Sequence, residues 1–137
     1  SPSRAPGAPK TSKEAESMLR TLTVSENGPL KAQAMAELSD ILAARGEMKE
    51  AASLVDAALN LAPDNSVVLS AHARLLAQSL EFEAADKVLL QAIEADPDWA
   101  PLYRQRAQVQ EKLGDEAEAM SLRTKAGGAA MGRIFLR

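Results

Sequence analysis

The chain has no cysteine, which removes disulfides, thiolate nucleophiles and thiolate metal sites and leaves its redox compartment unmarked. It has one histidine, so a two-histidine metal motif is excluded. Aromatic residues are only 3% of the total, and the side chains that strands favour are correspondingly scarce. No apolar run approaches the roughly eighteen residues that span a bilayer, and no charged-then-apolar leader marks a signal peptide. No compartment is assigned on this basis.

What is abundant is alanine and leucine, 27 and 18 of the 137 residues, the leading helix formers. A chain of this length buries roughly two thirds of the surface it would expose unfolded, so an all-α core needs no metal or disulfide. Because the first residue is Ser rather than Met, the expectation is an excised or processed piece, with any targeting signal or catalytic partner domain outside it.

The net charge of −3 is unevenly spread. Residues 1–20 carry four basic and two acidic side chains, residues 21–120 eight and seventeen, and residues 121–137 four and none. An acidic body repels phosphate backbones, so nucleic acid is not an expected partner.

Residues 1–10 hold three prolines and a glycine with no periodic apolar face, so 1–11 reads as a flexible linker or expression remnant. Beyond it Pro29, Pro63 and Pro97 recur every 34 residues. Other columns keep that period. Ala51, Ala85 and Ala119 form one, Ala58, Ala92 and Ala126 a second, and Ser39, Ala73 and Ala107 a third; Met35, Leu69 and Tyr103 align as large residues, and Leu42 matches Leu76. Each unit then reads as two helices of about fourteen residues, a short turn between them and a closing proline. Small residues let paired helices approach closely, and Asp64, Asn65 and Ser66, or Asp98, offer N-cap oxygens after the proline. Helices are expected near 12–24, 31–45, 48–61, 66–79, 82–95, 99–113 and 115–127.

This pattern resembles the tetratricopeptide repeat family. The resemblance covers Ala32–Asn65, Ser66–Trp99 and Ala100–Arg133, and is closest in GEMKEAASLVDAALNLAPDN and FEAADKVLLQAIEADPDW. It implies an all-α, TPR-like helical solenoid of about three helix-turn-helix repeats with an extra N-terminal helix, and a repeat domain over 12–128. KEAESMLRTLTV (13–24) matches KEAASLVDAALN (49–60) at an offset of 36, so a two-residue insertion is expected within Ser25–Gly28. The first helix is then either the second half of a preceding unit or a cap on helix 31–45. Leu80 stands where the other units have Gly46 and Gly114, which puts the left-handed turn there in question. In the third unit Arg106, Gln110, Glu116 and Arg123 replace apolar residues of the first, as the polar outer face of a terminal repeat would. Residues 129–137 combine apolar side chains with Arg133 and Arg137 and read as a basic, apolar tail or the start of a further segment.

No catalytic, cofactor-binding or metal-binding set emerges. His72 has no nucleophile motif beside it and reads as a packed side chain with hydrogen-bonded ring nitrogens. Glu94, Asp96 and Asp98 lack the calcium-loop pattern, and Gly127, Gly128 and Gly132 lack the Lys-Ser or Lys-Thr of a phosphate loop and read as a helix terminus. Trp99 is either core or a ligand contact. The resemblance implies a concave face lined by the first helix of each unit. Helical spacing puts Gln33, Glu37, Asp40 and Ala44, then Ser70, Arg74, Ala77 and Gln78, then Arg104, Gln105, Gln108, Glu111 and Lys112 on that side. The residues by which some family members clamp a chaperone's terminal carboxylate are replaced here by Ala36, Asp40, Ala71, Pro101 and Gln105. The expected function is a non-catalytic module binding a protein or peptide, with acidic side chains opposite Arg74 and Arg104 and an acidic patch from Glu37 and Asp40. The alternatives are an accessory array of a larger enzyme such as a transferase, or a scaffold that associates with itself.

Overall fold

The computed structural model describes residues 12–25 and 28–135. Among the described residues there are seven helices and no strand: α1 (Ser12–Ser25), α2 (Pro29–Ala44), α3 (Met48–Leu61), α4 (Ser66–Gln78), α5 (Phe82–Ala95), α6 (Ala100–Lys112) and α7 (Glu116–Phe135). Helices α2 and α3, α4 and α5, and α6 and α7 pair as three successive hairpins, with α1 packed on α2. The linker expected over 1–11 lies outside the described residues, as do residues 26–27 of the Ser25–Gly28 stretch within which the insertion is expected.

The small-residue columns are the seams of this array. All nine members, from Ser39 to Ala126, are buried. Ala32 and Ala36 meet Val68 and Ala71 where α2 lies against α4, with Val55 and Ala58 of α3 closing the same cluster. Leu69, Leu89, Leu102 and Val109 form the next cluster, against which Phe82 and Trp99 pack. Trp99 is thus attached to the core. Leu19 of α1 covers Leu38, Leu42 and Ala51, so the first helix shields the N-terminal end of the array. Beside it Glu16 accepts from Arg45 at 2.7 Å and from Arg20 at 2.8 Å, and Arg20 reaches Glu50 at 2.9 Å, tying three helices together at the surface.

Helix ends follow local chemistry. Asn65 caps α4, its Oδ1 accepting from the backbone N–H groups of Val67 and Val68. The N-cap position of α6 falls on Trp99 rather than Asp98. Trp99 holds that place without a side-chain bond, and Pro101 in the first turn needs no donor there.

Three expectations are corrected. Leu80 adopts a φ of +63°, matching the left-handed Gly46 and Gly114, and the Glu81 N–H reaches the Leu76 carbonyl as Glu47 reaches Leu42 and Asp115 reaches Gln110. The turn is therefore kept without glycine. Arg106 and Gln110 do not form an outer polar face, because both turn inward to Asp86 of α5, at 2.7 and 2.8 Å, and Gln110 is buried. A half-buried carboxylate with charged and amide donors is a satisfied polar joint between hairpins. Finally, α7 runs through Gly127 and Gly128 to Phe135 rather than ending there. A side chain on either glycine would meet nothing within 4 Å, so no close approach required them, and flanking alanines sustain the helix.

Candidate interaction groove

Successive hairpins do not join alike. Helix α2 packs directly on α4, whereas α4 and α6 share no comparable contact and are bridged by polar atoms. Ser70 Oγ donates to Gln105 Oε1 at 2.6 Å, and Gln105 Nε2 donates to the Ser70 carbonyl at 2.9 Å. Beyond this bridge the helices leave a cavity of about 530 Å³.

Of the eleven polar residues assigned to the concave side, Arg74, Gln78, Arg104, Gln105, Gln108 and Lys112 surround that one cavity. Ser70 is buried in the bridge. Gln33, Glu37 and Asp40 lie on α2, away from it, and Glu111 pairs with Arg123 of α7. Ala77 lines the cavity and Ala44 does not. The spacing argument found the charged rim and missed the apolar floor, made by Leu80, Phe82, Pro101 and Val109. Leu80 carried a signal in the sequence, a large apolar residue in a glycine column, and it lines the cavity.

The electrostatics also differ from expectation. Arg74 is paired with Asp40 at 2.7 Å, so the two are one neutralised contact between α2 and α4 rather than halves of opposite patches. Burial pushes the Asp40 carboxyl pKa upward, with Arg74 opposing it incompletely. Among arginines with described side chains, Arg20, Arg45, Arg74, Arg106 and Arg123 all have carboxylate partners, and Arg104 has none among the described residues. Lys112, two turns along the same helix, also has none among the described residues.

His72 faces a smaller hollow with Asp56, Leu75 and Glu81, outside the α4–α6 cavity. Desolvation lowers its pKa against the pull of Asp56 and Glu81. The expected hydrogen bonds to its ring are not formed among the described residues, because its neighbours in the hollow are mainly apolar and the ring keeps partial solvent access. No group of three or more metal-ligating side chains comes together among the described residues, and none of the described helices is long and apolar enough to cross a membrane.

An array of antiparallel helix hairpins stacked at a 34-residue period, with a polar-rimmed groove between first helices, defines a helical-repeat solenoid. Residues 42–109 match the model of the tetratricopeptide repeat, and the chain belongs to that family. It is 32% identical over 96 residues to the TPR repeat-containing thioredoxin TTL4 of Arabidopsis thaliana, an alignment covering 64% of this chain and 14% of that relative. Two structures of MamA share the fold. One has a TM-score of 0.68 and 17% identity, covering 89% of this chain and 70% of the other; the second, from AMB-1, has 0.60 and 19%, covering 89% and 65%. As a tetratricopeptide repeat array the chain is a protein-interaction scaffold.

Proposed function

We propose that this segment is a non-catalytic module that binds a peptide segment of a partner protein in the groove between α4 and α6. The observation that carries the reading is the departure from regular stacking. Where α2 and α4 close on alanines, α4 and α6 stand apart over a cavity with an apolar floor and a polar rim on which Arg104 and Lys112 have no carboxylate partner among the described residues. Few, well-placed polar groups around an apolar depression are what a binding site needs for both affinity and orientation. The alternative, an accessory array within a longer enzyme, is favoured by one fact: the aligned stretch makes up about a seventh of the thioredoxin relative. The two readings share this groove and differ in what flanks it.

Selection of displayed random peptides against the chain tests the groove. Peptides enriched on the wild type should lose most of their binding to Gln108→Trp, which fills the cavity from an exposed position, while the melting temperature is unchanged. Enriched peptides indifferent to Gln108→Trp, or no enrichment, would sink the proposal.

A further inference from the structure

We propose that His72 is a proton-operated catch between the first and second hairpins: neutral, its ring completes an apolar hollow between α3 and α4; protonated, it is driven out of that hollow toward solvent and the joint loosens. Nothing in this depends on what the groove binds. Place, partners and solvation carry it together.

His72 stands at a position of the first helices that each joint fills differently. At the 34-residue spacing it aligns with Leu38 and Arg106. Each of the three faces the helix that precedes its own hairpin. Leu38 is 1% exposed beneath Leu19 of α1, Arg106 donates to Asp86 of α5 at 2.7 Å, and His72 shares its hollow with Ala52, Val55 and Asp56 of α3. An apolar contact and an arginine–carboxylate pair are both indifferent to pH near neutrality. An imidazole in the same place is not.

The partners that hold Arg106 are missing around His72. Asp86 lies 34 residues beyond Ala52, and Gln110, the second donor to Asp86, lies 34 beyond Leu76. Ala52 and Leu76 both line the hollow, so a methyl group occupies the place from which a cation would be held directly. The carboxylates that do face the ring are Asp56 of α3 and Glu81 of the turn into α5, both exposed and neither hydrogen-bonded to it among the described residues. Helix α2 also packs on α4, but its carboxylate there, Asp40, is paired with Arg74 at 2.7 Å.

The hollow measures about 160 Å³ and is walled by buried Val55 and half-buried Leu75 and Leu76. An imidazolium would give up hydration there without a bonded partner, so burial holds the ring's pKa below the ordinary histidine value although Asp56 and Glu81 both pull it upward. A base whose folded pKa is depressed stabilises the fold above its unfolded pKa of about 6.5, and that contribution is lost as pH falls through the folded value. Acid therefore works against this joint. Helix α4 presents His72 to the hollow and Arg74, Ala77 and Gln78 to the groove, so the catch acts on one wall of the groove.

His72 is the only histidine in the chain, so the C2 proton of its ring gives one NMR signal to follow through a pH titration of the whole chain. The midpoint should lie below that of the same chain unfolded in urea. Ala52→Asp, an exposed change near the start of α3, supplies the carboxylate that Asp86 gives to Arg106 and should raise the midpoint, whereas Asp56→Asn should lower it. Between about pH 7.5 and about pH 5.5, a window that brackets the ordinary histidine value, the melting temperature of the wild type should fall and amide protection in α3 and α4 should drop relative to α6 and α7. His72→Leu, which installs the residue of Leu38, should lose most of that fall. A wild-type midpoint at or above that of the unfolded chain overturns the proposal, as does a midpoint that Ala52→Asp fails to raise. Wild type and His72→Leu losing melting temperature in parallel across the window would show that the ring's proton does not govern the joint.

Discussion

Gln105 of α6 grips Ser70 of α4 at both ends, its amide oxygen taking the hydroxyl proton at 2.6 Å and its amide nitrogen donating to the backbone carbonyl at 2.9 Å. This pair is a direct polar link between α4 and α6, beside the packing of α5 on α6 and the shared cluster of Leu69, Leu102 and Val109. Replacing Gln105 with Ala should lower unfolding free energy by about 1–3 kcal/mol in urea titration, two partly buried hydrogen bonds being lost. It should also widen the groove. A stability within error of the wild type would mean that the bridge does not hold the joint.

Leu80 occupies a left-handed position that L side chains other than glycine and asparagine rarely adopt. Leu80→Gly should therefore raise the melting temperature, by an amount corresponding to about 1 kcal/mol, while weakening any ligand that rests on the groove floor. A fall in melting temperature would show that the leucine side chain contributes to folding despite its exposure.

Ser39 sits in a column otherwise filled by Ala73 and Ala107, and its hydroxyl is fully buried without a hydrogen-bond partner among the described residues. Ser39→Ala removes that desolvated hydroxyl at almost no change in volume. Stability should rise by on the order of 1 kcal/mol. A loss of stability on calorimetry would reveal a partner for the hydroxyl.

Ala85 is fully buried at the α4–α5 seam, in contact with the Leu69 and Leu89 cluster. Ala85→Leu forces extra volume into a close helix contact and should cost about 1–3 kcal/mol. An unchanged thermal midpoint would remove the small-residue seam as the reason for the 34-residue alanine column.

Glu16 has its carboxyl pKa drawn down to about 2, first by the hydrogen bond from Arg45 and then by that from Arg20. A carboxylate depressed in the folded state stabilises above its unfolded pKa, and that contribution disappears as pH falls toward the folded value. The docking of α1 should thus weaken progressively below about pH 4.5. Melts of wild type and Glu16→Gln should differ at neutral pH and converge near pH 2. A difference independent of pH would mean that Glu16 acts by packing and not by charge.

Most of the fold was legible before any coordinate. Alanines and prolines at a fixed period identify helix pairs of fixed length, since close contacts admit only small side chains and a proline cannot continue the helix before it. Helix order and the buried columns follow directly, and the observed boundaries fall within two residues of expectation for all but the last helix. The inward turn of Arg106 and Gln110 was not legible. Their column can face solvent only if the adjoining helix supplies no partner, and Asp86, twenty residues from Arg106 in the chain, supplies one.

The groove divides the same way. Helical spacing placed Arg74, Gln78, Arg104, Gln105, Gln108 and Lys112 on one side of the array, because side-chain direction on a helix is a local property. What the sequence could not decide was which of them still carry unsatisfied charge. Pairing depends on distances between separate elements, and packing brought Asp40 to Arg74, Glu111 to Arg123 and Ser70 to Gln105 while leaving Arg104 and Lys112 without carboxylates among the described residues. The apolar floor arose likewise from tertiary placement, the turn at Leu80 being carried into the gap between α4 and α6. Periodicity determined the array and its faces; the opening of one joint, which only packing sets, determined where on those faces a partner can be held.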